Sequence, residues 1–484
     1  MDKVDLVVAG TGFASSFFLH RFLQDAGDVR VRVLEAGPRV PHGELVAHAR
    51  RKVRRTIERY VRPGPFPNDR YVNRTPHKPW LFTTAFGGGS NCWWACTPRM
   101  LPEDFALAST WGQGVDWPVS YDELEPWYAE AEALMAVSGP PDGPFPRSTP
   151  YPQPPHLLTP ADRVLKEAHP RGFFVQPTAR ARLAVGRRPA CCGNAHCDLC
   201  PIDAKFTIEN SLAAVYDDPR VQLDLGCAVQ AVEVEGGRAT GVRFLRGGRE
   251  ERLGADLVVL GTNAIFNPHI LLRSGLDDGV VGRGLQEQVG VTATVFLDGV
   301  DHFGGSTAIT GHGYTSYAGA HRRERAACLI ETSNRARLRL EPGKWRQWML
   351  LTLIYEDLRR DDNRVTVSAD DPTRPEVVYR GPSDYARAGT AQALQDVETL
   401  VAPLPVERIE VHGERDTEAH VMGTHVMGDD PATSVTDSYG RHHRAQGLVV
   451  LGSGSFPTAA PANPTLTLSA LALRAADRLV GSTA

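Results

Sequence analysis

The sequence lacks any run of about 18 or more apolar residues, which argues against a membrane-spanning helix. It also lacks a strong excess of positive charge: the formal net charge is −4 over 484 residues, so nucleic acid is not an expected partner. The chain begins with neither the basic leader nor the long apolar run of a secretion signal, because its first apolar stretch, residues 4–8, is typical of a strand. We therefore expect a cytoplasmic protein without a membrane partner.

Cysteine is scarce but clustered. Of eight cysteines, four lie within ten residues, as Cys191, Cys192, Cys197 and Cys200. A reducing compartment favours free thiols or metal ligands over disulfides. The spacing is close to that of zinc or iron–sulfur ligands, with His196 beside it, while a thiol-rich structural loop is the third and favoured interpretation. The three stay open, and no metal site is predicted.

The composition that is present is that of a folded enzyme. Hydrophobic residues make up 42% and charged residues 23%, the ordinary balance of a globular protein. The length allows two or three domains and a large cofactor site, which excludes a single small binding module. Nothing in the sequence indicates the oligomeric state.

A dinucleotide-binding pattern opens the chain. Gly10 and Gly12 stand between a predicted strand, residues 5–9, and a predicted helix, residues 13–24, and a second strand ends at Glu35. The glycines let the backbone approach a pyrophosphate on the helix N-terminus, and Glu35 is placed to bind a ribose diol. Ser15 replaces the third glycine of the fingerprint. Residues 257–264 look like the strand and loop that return to the dinucleotide in flavoproteins, a second half that NAD would not need.

The remaining pattern predicts mixed α/β structure. Residues 39–83 are predicted to be a long excursion over the nucleotide, and a helix from Tyr121 is predicted to be capped by Ser120 and Glu123. Further strands are expected at residues 221–225, 229–235, 241–245, 257–260, 348–354, 364–367 and 376–379. Helices are expected at residues 385–401 and 467–479.

Several motifs together resemble the glucose-methanol-choline (GMC) family of FAD-dependent oxidoreductases. The stretch Phe86-Gly-Gly-Gly-Ser-Asn-Cys-Trp-Trp-Ala-Cys-Thr-Pro98 is similar to the family's flavin-facing segment. Gly282-Arg-Gly-Leu-Gln286, the block His420-Val-Met-Gly-Thr-His-Val-Met-Gly428 and the ending Asn463-Pro-Thr-Leu-Thr467 follow in the family order. The resemblance covers about two thirds of the chain, and its details look most like the pyranose oxidase branch.

The resemblance implies an α/β fold, with a Rossmann-like FAD-binding domain and a discontinuous, sheet-based substrate-binding domain. On this basis the FAD-binding domain is predicted at residues 1–290, with excursions at 39–83 and in the Cys-rich loop 186–210. The substrate-binding domain is predicted at 291–410, and residues 411–484 are predicted to return to the first domain. Many members of the branch that link FAD covalently carry histidine where this chain has Cys92, so we expect non-covalent FAD.

The resemblance also implies the site residues. His420 is expected to be the catalytic base, with Asn463 as its partner, and His425 is the rival histidine in the same block. Imidazole suits this task because its pKa lies near neutrality. The residues expected to bind FAD are Gly10, Gly12, Phe13, Ala14, Glu35, Gly88, Gly89, Ser90, Asn91, Cys92, Val229, Gly261, Ser453, Gly454, Asn463, Pro464 and Thr465.

The expected reaction is oxidation of a CH–OH group of a sugar, glycoside, aminocyclitol or similar polyhydroxylated metabolite, by base-assisted hydride transfer to flavin N5. Dioxygen or another acceptor is expected to reoxidise the flavin. Two alternatives remain: a lyase that keeps FAD without redox turnover, as in hydroxynitrile cleavage, and a flavoprotein without catalytic activity.

Overall fold

The structure is a computed structural model that describes residues 3–53, 70–335 and 338–480. Part of the predicted excursion over residues 39–83 therefore lies outside the described residues. The strands are β1 (Lys3–Ala9), β2 (Val31–Glu35), β3 (Val72–Asn73), β4 (Phe173–Val175), β5 (Val221–Leu225), β6 (Cys227–Glu235), β7 (Arg238–Arg246), β8 (Arg249–Leu260), β9 (Val289–Leu297), β10 (Ile309–Ser316), β11 (Cys328–Ser333), β12 (Trp348–Tyr355), β13 (Arg364–Val367), β14 (Pro375–Val378), β15 (Val406–Glu414) and β16 (Leu448–Val450). The helices are α1 (Phe13–Asp25), α2 (His42–Val53), α3 (Pro102–Phe105), α4 (Leu107–Trp111), α5 (Tyr121–Met135), α6 (Pro160–Ala168), α7 (Ile208–Ser211), α8 (Asn263–Arg273), α9 (Asp384–Thr390), α10 (Ala393–Val401) and α11 (Thr465–Val480).

The first sheet has the order β5-β2-β1-β8-β7-β6, and β16 pairs with the end of β8. Strand β1 runs parallel to both β2 and β8, and Ala9 lies opposite Leu34 and Leu260. Both faces of β1 are covered: Leu6 and Val8 pack towards α1, α5 and α11, and Val7 packs into a second core on the other face. Such double burial explains the continuous apolar run in the sequence. The carboxyl ends of these strands meet at one edge, which is where ligands bind in open α/β sheets.

The second sheet is antiparallel, with the order β15-β9-β12-β11-β10-β4. Side chains alternate along its strands, so its two faces differ. Cys328 and Ile330 of β11 share a buried core with Val397 and Leu400 of α10. The opposite face, which carries Glu331 and other polar residues, borders a cleft. This sheet extends beyond the predicted range 291–410, because β9 begins at Val289 and β4 is recruited from residues 173–175.

A third sheet, of order β13-β14-β3, joins two distant parts of the chain. Strand β14, which lies in the range predicted for the substrate-binding domain, pairs with β3 in the segment after residue 70.

The observed elements confirm one local prediction and overturn another. Helix α5 begins at Tyr121, and its Ser120–Glu123 capping box is confirmed. The single helix predicted at 385–401 is wrong, because the chain forms α9 and α10 with a break between them. Gly389 lies near this break, where an added Cβ would be 2.8 Å from the Cβ of Ala326 and 2.9 Å from Tyr355. Close contact with the sheet and the low helix propensity of glycine together account for the interruption.

Within the described ranges, no helix combines the length and apolarity needed to cross a membrane.

Candidate active site

A cleft of about 1870 Å³ connects the two large sheets. At one end it is lined by residues just after β1 and at the end of β2, among them Gly12 and Glu35. At the other end it is lined by Glu331, Ser333 and Thr352, on the polar face of the antiparallel sheet. Such a cleft has room for a dinucleotide at one end and a second, smaller molecule at the other.

The turn before α1 has the shape of a pyrophosphate cradle. Gly10 has φ +89°, and an added Cβ would lie 2.8 Å from the Gly261 carbonyl oxygen. Gly12 is the N-cap of α1, and because it has no side chain it does not cap the N–H groups of the first turn. A Cβ on Gly12 would meet no atom within 4 Å, so the space above the helix N-terminus is open. Free N–H groups and the helix dipole favour an anion there, which fits the pyrophosphate of FAD.

Glu35 is buried at the end of β2. Its Oε2 accepts hydrogen bonds from the Thr11 N–H at 3.1 Å and the Thr11 hydroxyl at 2.6 Å, and its Oε1 accepts one from the Gly37 N–H at 2.8 Å. Burial raises the pKa of this carboxyl, and the three hydrogen bonds oppose that rise. The carboxyl group is therefore held rigidly at the cleft, where a ribose hydroxyl could donate to it.

The glycine-rich segment lies directly against the cradle. An added Cβ on Gly88 would be 3.0 Å from the Cα of Gly12. Lys205 fixes the segment that follows, because its Nζ donates to the carbonyl oxygens of Trp93 at 3.0 Å and Asp198 at 2.7 Å. Cys92 lines the cleft, and burial raises the pKa of its thiol to about 11, so the thiol stays protonated near neutral pH.

Most of the residues predicted to bind FAD line this one cleft. They are Gly10, Gly12, Phe13, Ala14, Glu35, Gly88, Gly89, Cys92, Val229, Gly261, Ser453, Asn463, Pro464 and Thr465.

Ser90, Asn91 and Gly454 do not line the cleft. The Ser90 hydroxyl donates to the Gly87 carbonyl oxygen and accepts from the Ile208 N–H, and the Asn91 amide donates to the Phe86 carbonyl oxygen. Both side chains thus stabilise the loop from behind. Gly454 packs against His425, since an added Cβ would clash with the imidazole.

His420 lines the cleft with its ring orientation fixed by Gln288. The Gln288 Nε2 donates to the carbonyl oxygens of Ala460 at 2.8 Å and Ala462 at 3.1 Å, which leaves its Oε1 to face His420 Nδ1 at 2.9 Å. A carbonyl oxygen only accepts, so Nδ1 carries the proton and Nε2 is the basic nitrogen. Burial lowers the pKa of His420 to about 4, which keeps the imidazole neutral.

The backbone before His420 is held by a buried ion pair. Glu287 Oε1 accepts hydrogen bonds from the N–H groups of Glu418 at 3.0 Å and His420 at 2.9 Å, and from the Thr417 hydroxyl at 2.8 Å. Its other oxygen pairs with Lys78. One carboxylate therefore anchors the segment that presents the imidazole to the cleft.

Asn463 and His425 differ in their relation to the cleft. Asn463 lines it, and its buried Oδ1 has no hydrogen-bond partner within the described residues. Because Gln288 binds the neighbouring Ala462 carbonyl, Asn463 and His420 are tied to the same amide. His425 is fully buried, does not line the cleft, and contacts Asn267 Nδ2 at 3.1 Å. Between the two histidines, only His420 is placed to meet a ligand.

Three of the clustered cysteines each contact a different backbone group. The sulfur of Cys191 donates to the Ser306 carbonyl oxygen, Cys197 accepts from the Ala308 N–H, and Cys200 accepts from the Ala204 N–H. All eight cysteines are free thiols. Over the residues the structure describes, no group of three or more His, Cys, Asp or Glu is arranged to hold a metal ion. The contacts suit a structural loop.

Sequence reasoning did not find Gln288, Glu287 or Lys78. Gln288 lies two residues after the family-like block that ends at Gln286, but no pattern indicates that it faces His420, 132 residues away. Lys78 lies in the stretch after residue 70, whose fold could not be read from its sequence.

Known proteins are similar to this chain over nearly its whole length. The GMC oxidoreductase models match residues 5–290 and 359–472. The fructose dehydrogenase large subunit of Gluconobacter japonicus is 28% identical, over 99% of this chain and 98% of its own length. Paromamine 6'-oxidase of Streptomyces fradiae is 29% identical, over 99% of this chain and 92% of its own. The structure of pyridoxine 4-oxidase from Mesorbium loti shares the fold, with a TM-score of 0.68 at 16% identity and 98% coverage of both chains.

Proposed function

Because the chain belongs to the GMC oxidoreductase family, whose members generally bind FAD, we propose that it oxidises a CH–OH group of a sugar-like, polyhydroxylated metabolite with His420 as the base. Fructose dehydrogenase and paromamine 6'-oxidase, both similar over nearly the whole chain, support this substrate class. The observation that carries the catalytic assignment is the hydrogen bond from His420 Nδ1 to Gln288, which leaves Nε2 as a neutral base at the cleft.

The residues of the first sheet suit FAD. Gly10 and Gly12 would admit the pyrophosphate to the α1 N-terminus, Glu35 would bind the ribose, and Gly88 and Gly89 would let the loop lie against the isoalloxazine. FAD, when bound, supplies the hydride acceptor at N5. The domain division at residues 290 and 410 stays a proposal, with β4 and β15 extending the substrate-side sheet beyond it.

His420 and Asn463 are proposed to have different roles towards the substrate. The His420 Nε2 takes the proton of the substrate hydroxyl as the hydride leaves the carbon that carries this hydroxyl. Asn463, which lines the same cleft, orients the hydroxyl by donating from Nδ2 to the hydroxyl oxygen, because a carboxamide is not a base near neutral pH. Gln288 holds the tautomer, and Glu287 holds the backbone, so that the base is preorganised.

FAD is proposed to be held without a covalent bond, since Cys92 stands at the position of the linking histidine and its thiol stays protonated. Dioxygen or another acceptor is proposed to reoxidise the flavin. The lyase alternative is not favoured, because the similar proteins are oxidases and dehydrogenases. The cytoplasm stays the proposed location.

The test is anaerobic mixing of the yellow holoprotein with a panel of sugars, glycosides and aminocyclitols. Loss of the oxidised flavin absorbance with at least one of them is the expected result. If none bleaches the flavin while a non-redox product appears, the lyase assignment replaces this proposal.

A further inference from the structure

The backbone that presents His420 to the cleft is strained. Ala419, the residue before the base, has φ +64°, in the left-handed region that residues other than glycine rarely adopt. Residues 415–420 are all described by the structure and lie outside any helix or strand. Glu287 supports this turn, because its Oε1 accepts from the N–H groups on both sides of Ala419. Such a conformation persists only where the surroundings fix it, so the position of the base depends on how firmly Glu287 is held.

Glu287 is held in turn by Lys78. The Glu287 side chain is fully buried, and a buried carboxylate is costly unless a cation reaches it. All three donors from residues 417–420 bind Oε1, whereas Lys78 pairs with Oε2. An ion pair at the second oxygen stops the carboxylate from rotating about its Cγ–Cδ bond. Lys78 therefore fixes both the charge and the orientation of the group that supports the strained turn.

Lys78 is itself fixed by two separate segments of the chain. Its N–H donates to the Thr75 carbonyl oxygen at 2.9 Å, and its carbonyl oxygen accepts from Asn73 Nδ2 at 2.9 Å, so it lies in a tight turn after β3. Its Nζ is 5.1 Å from the ring centre of Trp80 and 5.2 Å from that of Tyr379, which follows β14. Both rings attract the ammonium group.

The turn that contains Lys78 is also part of the cleft wall. Its neighbours His77 and Pro79 line the cleft, whereas Lys78 does not. Its side chain is directed instead towards Glu287, behind the wall. The wall and His420 are therefore connected through two buried side chains. A residue in this position acts on the reaction through the base, without contact to a ligand in the cleft.

We propose that Lys78 is a positioning residue: through Glu287 it holds the left-handed turn at Ala419 and so places His420 for proton transfer. This inference rests on the proposed function, since it concerns the base assigned there. Because Lys78 does not line the cleft, its loss should slow flavin reduction without weakening the binding of substrate or FAD.

The experiment compares the unmodified holoprotein with Lys78→Met and with Lys166→Met as the matched control. Lys166 also pairs with a carboxylate, Asp142 at 2.8 Å, and its Nζ lies 4.1 Å from the ring centre of Phe174, but it does not line the cleft. Stopped-flow anaerobic reduction separates the limiting rate constant from the substrate concentration at half-saturation. Hydrogen exchange of residues 417–420, followed by mass spectrometry, reports on the turn without any substrate. FAD content shows whether each variant is loaded.

We expect the amides of Glu418 and His420 to exchange slowly in the unmodified protein, because Glu287 accepts from both. Lys78→Met should lower the limiting rate constant by about 10- to 10²-fold, since a base that is no longer preorganised is misplaced. It should leave half-saturation and FAD content nearly unchanged and speed exchange of residues 417–420. Lys166→Met should change neither the rate nor the exchange.

Fast exchange at Glu418 and His420 in the unmodified protein overturns the proposal before any variant is made. So does a folded, FAD-loaded Lys78→Met that keeps the normal rate, or that is slow while exchange of residues 417–420 is unchanged. If the unpaired charge of Glu287 prevents Lys78→Met from folding, the double variant Lys78→Met with Glu287→Gln removes both charges and is measured in the same way. Slow reduction with fast exchange in the double variant supports the proposal, and a normal rate or normal exchange overturns it.

If no compound of the panel reduces the flavin of the unmodified protein, the proposed function fails, and the exchange measurements alone test the role of Lys78. Faster exchange of residues 417–420 in Lys78→Met than in Lys166→Met then supports that role. Equal exchange in the two variants overturns it.

Discussion

At the scale of single residues, the proposed chemistry depends on which nitrogen of His420 carries the proton. Gln288 determines this because its own amide is fixed by two backbone carbonyl oxygens. The sequence could indicate His420 and Asn463, since both lie in recognisable blocks. It could not indicate Gln288, whose role comes from a contact between segments far apart in the chain.

Substitutions of Gln288 should change the pH dependence of flavin reduction. With a pKa of about 4, His420 stays neutral and active as the pH falls from 8 to 5, and activity is lost only as the imidazole takes up a proton near pH 4. Gln288→Glu places an anion beside the ring, which raises the pKa of His420 and moves this loss towards neutral pH. Gln288→Leu removes the acceptor and should slow reduction by about 10²-fold across the range.

Stopped-flow reduction rates from pH 4 to 8 measure both effects, with FAD content as the control for folding. An acid limb at the same pH in Gln288→Glu and the unmodified protein would show that the amide does not act on the base.

At the scale of elements, the sequence was sufficient to predict a helix or strand whose limits are determined by its own local residues. Helix α5, with its capping box, and strand β5 follow the expected residues. The break between α9 and α10 was missed, since it depends on how closely Gly389 approaches the sheet. Strand β4 was missed because it has only three residues and pairs with β10, far away in sequence.

The turn before α1 gives a prediction that separates two glycines. Gly12→Val places its side chain in the open cradle, so we expect a folded protein that binds no FAD. Gly10→Val forces a left-handed conformation and a clash with Gly261, so we expect a less stable protein, by at least about 1–2 kcal/mol. Flavin content and chemical denaturation of the apoproteins measure the two outcomes. Stoichiometric FAD in Gly12→Val would show that the pyrophosphate lies elsewhere.

At the scale of the whole molecule, the cleft is built from segments that no single stretch of sequence contains. Residues next to the first sheet line the end that is proposed to bind the cofactor, and the antiparallel sheet lines the end that is proposed to bind the substrate. The α/β class followed from the sequence, because the βαβ unit is local. The domain limits at residues 290 and 410 stay a proposal, and hydrogen bonding joins β3 and β4, from earlier in the chain, to strands within the predicted substrate-binding range.

FAD should bind reversibly to the folded protein. If FAD is held without a covalent bond, acid precipitation should leave all of it in the supernatant, and added FAD should raise Tm through mass action. Cys92→Ser should release FAD in the same way, because the thiol makes no bond to it. Flavin that stays with the precipitated polypeptide, and is lost from the precipitate in Cys92→Ser, would establish a covalent link.

The most direct test of the central claim is the rate of anaerobic flavin reduction in His420→Ala, measured beside His425→Ala with the best substrate of the panel. We expect His420→Ala to keep its FAD and its fold but to reduce flavin about 10²–10⁴ times more slowly, because a positioned base is lost. His425→Ala should lower stability, since it opens a cavity in the core, and should leave the rate much closer to normal. A slow His425→Ala beside an unimpaired His420→Ala would contradict the assignment of the base, and normal rates in both would contradict base-assisted alcohol oxidation itself.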